Sequence, residues 1–184
     1  LITFLPFSLL MFLGRLLGKV ALLLAKRRVN IARINLKLCF PELDKTEQEK
    51  LLRKYFESAG MGLMDIAIAW WWSDTRFFPR VKVSGLEYLE AAFSSGKGVL
   101  LYTGHFSCIE ISGRILSRYV PSLMAMYRPN ENPVLQHILV KRRTHHILGI
   151  IPRDNVREML KALKEGKGVW FAPDQNYGHK NSVF

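Results

Sequence analysis

The chain has 184 residues, 49% hydrophobic and 23% charged, enough apolar material for one packed α/β domain or for part of a larger one. Its 27 Lys plus Arg stand against 15 Asp plus Glu, a formal charge of +12. That excess favours anionic partners: phosphorylated lipids, a membrane surface, an acidic carrier protein or nucleic acid. Cys39 and Cys108 lie far apart, without zinc-site spacing or a disulfide framework, and read as plain buried thiols in a reducing compartment.

Residues 1–25, LITFLPFSLLMFLGRLLGKVALLLA, are apolar but interrupted by Pro6, Arg15 and Lys19. No run reaches the roughly 20 clean residues of a spanning helix, and no basic leader or small-residue cleavage site marks a signal peptide. Two readings stay open: the tail of a membrane helix followed by an amphipathic segment, or a core helix of a soluble domain. Lys26, Arg27, Arg28, Arg33 and Lys37 follow with no acid among them, a pattern that suits anionic lipid on a cytoplasmic leaflet. The first residue is not Met, and Phe184 ends a turn-rich run, so a longer natural protein is expected at both ends.

From Phe40-Pro41 onward the pattern is that of a soluble domain, which sets expected regions of 1–40 (membrane-associated) and 41–184 (α/β domain). Asp44 or Thr46 is placed to cap a helix whose first turn carries Glu47 and Glu49. Leu51, Leu52, Tyr55, Phe56 and Ala59 recur at helical spacing, Gly60 and Gly62 thin the pattern, and a second apolar stretch ends at Trp70-Trp71-Trp72. These tryptophans suit either a core or a lipid-interface belt, with at least one expected inside.

After Pro79 short apolar strands alternate with helices: strand Val81–Val83, helix Leu86–Ser94, strand Val99–Thr103, helix Phe106–Arg118 and strand Leu123–Tyr127. Helix Val134–Arg143, strand Gly149–Ile151, helix Val156–Lys164 and strand Val169–Ala172 follow. The alternation predicts a largely parallel sheet flanked by helices, preceded by a helical membrane-proximal region. Gly96-Lys97-Gly98-Val99 is echoed by Gly166-Lys167-Gly168-Val169. Counting onward, Gly104-His105 and Asp174-Gln175 fall just past their strands, where parallel sheets hold ligands, so the two loops are candidates for one rim.

The leading chemical candidate is Gly104-His105-Phe106-Ser107-Cys108-Ile109-Glu110. Imidazole suits general-base work near neutrality, and a carboxylate on its other ring nitrogen would fix the tautomer. Residues five apart do not share a helix face, so Glu110 meets His105 only if His105 lies in the turn before the helix. On spacing alone a structural histidine is the commoner outcome. Further loops at strand ends are Tyr127-Arg128-Pro129-Asn130, where Arg128 could grip phosphate, and Pro173-Asp174-Gln175-Asn176-Tyr177-Gly178, a headgroup site or a plain turn. Arg153-Asp154 is another, in which Asp154 reads as the cap of the next helix. Lys141, Arg142, Arg143, His145 and His146 could meet nucleic acid or an acidic carrier protein; no third ligand accompanies the histidines toward a metal.

Taken in order, Gly104-His105-x4-Glu110, Tyr127-Arg128-Pro129-Asn130-x-Asn132-Pro133, Arg153-Asp154 and Ala172-Pro173-Asp174-x-x-Tyr177-Gly178 resemble the late acyltransferases of lipid A biosynthesis. Arg33-x-Asn35-Leu36-x-Leu38-Cys39-Phe40-Pro41-Glu42 and Glu57-Ser58-x-Gly60-Met61-Gly62-Leu63-Met64 look like that family too, so the likeness covers nearly the whole chain. One departure is Asp174-Gln175-Asn176, where many relatives have Asp-His-Asp.

The resemblance implies acyl transfer from acyl carrier protein to a hydroxyl of a Kdo-bearing lipid A precursor, at the cytoplasmic face of the inner membrane. No cofactor, metal, covalent enzyme intermediate or nucleic acid is implied. It assigns His105 and Glu110 as the catalytic pair, with Arg128, Asn130, Arg153, Asp174, Tyr177 and Gly178 toward substrate. Rival readings are an acyltransferase for glycerol phosphate or glycosylated phosphoinositide, and a non-catalytic basic module that binds membrane or nucleic acid.

Overall fold

The computed structural model describes residues 4–175, and the chain divides after Trp72 into two compact units. The first is helical. Helix α1 (Phe7–Leu24) is, by length and composition, long and apolar enough to cross a membrane, which corrects the expectation drawn from its interruption by Arg15 and Lys19; Phe12, Leu23 and Leu24 are exposed on it. A single residue, Ala25, separates it from α2 (Lys26–Cys39). Helix α3 (Lys45–Trp71) opens at a complete capping box: Asp44 Oδ1 accepts from the Glu47 N–H at 2.8 Å, and the Glu47 side chain accepts from the Asp44 N–H at 3.1 Å.

The two apolar stretches expected on either side of Gly60 form this one helix of 27 residues. The glycines do not interrupt it because they serve packing. A Cβ on Gly18 would lie 2.1 Å from the Phe56 carbonyl oxygen, and one on Gly60 would lie 2.1 Å from that of Gly14. Helices α1 and α3 therefore touch backbone to backbone, as small residues permit. Leu52, Phe56 and Val29 form the core between α2 and α3. This makes α3 part of the first unit, which runs to Trp72. Of the three tryptophans, Trp72 is buried and Trp71 exposed.

The second unit carries the sheet. After α4 (Asp74–Phe77) and a 3-10 turn at Phe78–Arg80 come α5 (Leu86–Phe93), β1 (Val99–Tyr102), α6 (Ile109–Tyr119), β2 (Leu123–Tyr127) and α7 (Pro133–Arg143). The order closes with β3 (Gly149–Pro152), α8 (Val156–Lys164) and β4 (Gly168–Phe171). All pairings are parallel, in the order β1-β4-β2-β3, which bears out the expected α/β architecture.

Alternation sorts the strands onto two faces. Leu123 and Ala125 pack with Val120, Leu101, Ile150 and Trp170, while Ile151 and Val169 pack with Ala162, Met124 and Met126. The buried guanidinium of Arg114 on α6 donates to Asp74 Oδ1 at 2.7 Å and lies 4.3 Å from the Phe77 ring centroid, tying α4 to the sheet layer.

Four local expectations are corrected. Val81–Val83 forms no strand: the segment is too short for a useful ladder and pairs with none of the four described strands. Helix α6 begins at Ile109 rather than Phe106, because residues 104–108 turn tightly. Asn155, not Asp154, caps α8 by accepting from the Glu158 N–H. Cys39 is exposed and Cys108 half-buried, so neither is the buried thiol that was expected.

Candidate active site

The sheet brings the two echoed segments together. Val99 pairs with Gly168 and Tyr102 with Phe171, so β1 and β4 are neighbours in register and their loops emerge side by side. The preceding Gly96 and Gly166 both adopt positive φ, 68° and 76°, which ends each helix and starts each strand in the same way.

Past these strands His105 meets Asp174. The His105 backbone N–H donates to Asp174 Oδ2 at 2.7 Å, and His105 Nδ1 lies 2.6 Å from Asp174 Oδ1. The two contacts hold both carboxylate oxygens and tie the loop after β1 to the loop after β4. The His105 N–H bond first, and its side-chain bond second, hold the Asp174 carboxyl below the usual carboxylate range.

An ionised carboxylate only accepts, so this contact puts the proton on Nδ1 and leaves Nε2 of the neutral ring with a free lone pair. Side chains of His105 and Asp174 are 40% and 38% exposed, open enough for a substrate to reach.

Glu110 stands in the first turn of α6, with Cys108 as its N-cap residue, and its side chain is 10% exposed. Arg143, in the last turn of α7, holds it in bidentate fashion: Nε donates to both carboxylate oxygens, at 3.1 and 3.3 Å, and Nη2 makes a further short contact. Two charge pairs thus emerge where one was expected, His105 with Asp174 and Glu110 with Arg143.

Other expected loops are resolved to differing degrees. Arg128 is exposed and 3.8 Å from Glu131; Arg153 lies 3.6 Å from Asp154. Asn130 is turned into its own loop, its side chain accepting from the Asn132 N–H and its own N–H donating to Gln136 Oε1 at 2.8 Å. Asn132 caps α7 through the Val134 and Leu135 N–H groups. Gln136 also donates to the Tyr127 hydroxyl at 2.9 Å, a clasp that no motif announced. Asn176, Tyr177 and Gly178 lie outside the described residues.

Asp174 was read toward substrate, and the echoed Gly-Lys-Gly-Val pairs were the signal that set its loop beside that of His105. The partnership of Glu110 with Arg143 had no such signal, for 33 residues separate them. Among the described residues no cluster of metal-ligating side chains occurs.

A histidine held by a carboxylate, beyond the strand ends of a parallel sheet, is an arrangement chemically suited to moving a proton. The particular family is given by sequence. Residues 1–184 match the bacterial lipid A biosynthesis acyltransferase model, and the chain belongs to that family.

It is 41% identical over 180 residues to the lipid A biosynthesis palmitoleoyltransferase of Escherichia coli K12, covering 98% of this chain and 58% of that protein. Against the lauroyltransferase of the same organism identity is 39% over 184 residues, covering 100% and 60%. Against its myristoyltransferase it is 27% over 170 residues, covering 91% and 52%. The chain thus spans little more than half the length of these relatives.

Proposed function

We propose that the full-length protein transfers a fatty acyl chain from acyl carrier protein to a hydroxyl of a Kdo-bearing lipid A precursor. The observation that carries the reading is the His105–Asp174 contact of 2.6 Å in a chain of this family. Asp174 holds His105 with Nε2 toward substrate. That nitrogen takes the proton of the acceptor hydroxyl as its oxygen attacks the thioester carbonyl carbon. An O–C ester bond forms and the C–S bond breaks. The proton passes from His105 to the departing thiolate, which leaves as the carrier's thiol. Asp174 acts through His105 and is a positioning residue; His105 is the general base.

Glu110 enters this reading differently from the pairing first expected. It anchors the Arg143 guanidinium next to the loop that bears His105, where cationic charge suits an oxyanion or a phosphate. Arg128 and Arg153 offer further charge to phosphates, Kdo carboxylates or the acidic carrier. The apolar α1 supports a location at the cytoplasmic face of the inner membrane.

The test is transfer of radiolabelled acyl chains from acyl carrier protein to Kdo2-lipid IVA, using membranes that hold the full-length protein. His105→Ala is expected to lose about 10²–10⁴-fold in rate, the usual worth of a general base. Undiminished transfer by His105→Ala would remove the base from the mechanism. If no carrier yields product with the unsubstituted protein, the lipid A acceptor falls, and glycerol phosphates are the next acceptors to try.

A further inference from the structure

A groove runs along α2 in the first unit, lined by residues of α2 and α3. It has a volume of about 400 Å³, within the roughly 300–1,000 Å³ usual for ligand pockets. Arg28, Ile31, Ala32, Asn35, Leu36 and Cys39 line it at spacings of one helix face, and Tyr55, Phe56 and Ala59 of α3 line the other side. Alanines on both walls keep it open. From Arg28 to Cys39 it extends on the order of 16 Å at 1.5 Å per residue.

The lining is mostly apolar, Asn35 and Tyr55 adding an amide and a hydroxyl, with one cation at the end nearer the start of α2 and no acid. Helix α2 as a whole, KRRVNIARINLKLC, carries five cations and no acid, and its positive dipole end coincides with Lys26, Arg27 and Arg28. The occupant that fits has one anionic end and one long apolar end. Its source is indicated by α1, which ends two residues before α2 and exposes Leu23 and Leu24 there, 75% and 76% accessible. A helix apolar enough for a bilayer brings its terminus to where acyl chains meet headgroups.

We propose that the α2–α3 groove binds one anionic phospholipid of the bilayer, its acyl chain against Ile31, Ala32, Leu36 and Phe56 and its phosphate at Arg28. The groove shares no residue with the His105 reading, so the two proposals stand or fall independently. It gives the helical unit a preference among lipids that a merely apolar anchor lacks.

The experiment uses full-length protein extracted from vesicles of equal phosphatidylglycerol and phosphatidylcholine, with retained lipid counted by native mass spectrometry. One phosphatidylglycerol per chain is expected, in preference to phosphatidylcholine. Arg28→Gln should lower retention of phosphatidylglycerol about tenfold and erase the preference. Ala59→Trp should abolish retention by filling the groove; Ala32→Leu, a smaller change on the facing wall, decides the matter if the tryptophan variant does not fold.

Equal retention of both lipids by the unsubstituted protein overturns the proposal, as does retention indifferent to both groove-filling changes. A dimer that Ala59→Trp dissolves, with no lipid bound, assigns the groove to a second copy instead. Palmitate displacing phosphatidylglycerol at equal concentration assigns it to free fatty acid. Acyl transfer measured on the same samples separates these outcomes from a failure of the proposed function.

Discussion

Both units depend on glycine, the helical unit for the space it leaves and the sheet unit for backbone freedom as well. In the helical unit Gly14, Gly18 and Gly60 are needed for what they lack in bulk: a Cβ would strike the backbone of the facing helix. In the sheet unit Gly96 and Gly166 are needed for backbone freedom, since both hold positive φ, and a Cβ on Gly96 would meet nothing within 4 Å. The first use is invisible in a sequence, because it depends on which helix lies opposite. The second is partly visible, because a glycine that closes a helix and opens a strand has a local cause. Hence the first unit was read with its long helix divided, whereas seven of the nine elements expected after Pro79 overlap the observed ones closely.

The largest effect expected from breaking this contrast lies at the rim that the echoed glycines bring together. Asp174→Asn keeps an acceptor for the His105 N–H but loses the charge that fixes the ring proton, so acyl transfer should fall about 10²–10⁴-fold. Thermal stability should scarcely change, since both groups are exposed. An Asp174→Asn enzyme with full activity would return the orienting role to Glu110.

The pH sign follows from the depressed Asp174 carboxyl. Its contribution is present above the ordinary aspartate value of 3.8 and is lost only as pH falls through the lower folded value. Acidification from pH 7 to 5 should therefore leave the His105 backbone contact intact, as measured by the amide proton shift of His105.

How much of this was legible can be put residue by residue. His105 and Glu110 stand out because a motif sets them five residues apart, and Asp174 because its loop repeats the setting of the first. What the motif could not supply was the pairing. Glu110 stands in the first turn of α6 and holds Arg143 from 33 residues away, a contact that the motif does not announce. Asp174 comes from 69 residues away, and only the β1–β4 register makes it adjacent. Long-range strand order is the one quantity that local periodicity does not carry.

Next in size is the helical unit. Gly60→Val puts a branched side chain where a Cβ alone would already lie 2.1 Å from the Gly14 oxygen and 2.6 Å from the Gly18 nitrogen. Neither obstacle is a movable side chain, so α1 and α3 must separate. The expected loss is about 3 kcal/mol, the upper end of overpacking costs, read as a lower thermal midpoint of the full-length protein in detergent. Catalysis by the surviving folded fraction should be normal per molecule. A midpoint unchanged within a degree would mean that the close backbone contact of α1 with α3 is absent in solution.

The smallest effect tests the other use of glycine. Gly96→Ala meets no atom, so any destabilisation must come from holding an L-residue at φ 68°. That costs about 1 kcal/mol, and asparagine, which tolerates the left-handed region, should cost less. Two residues on, Gly98 offers the opposite control: a Cβ there would lie 2.2 Å from the Leu163 oxygen, and alanine and asparagine should both be severe. The decisive quantity is the order of the variants within each position. At Gly96 asparagine should be milder than alanine because conformation governs. At Gly98 it should be at least as harmful, because volume governs and asparagine is larger. Equal ordering at both positions would erase the distinction between glycine as space and glycine as hinge.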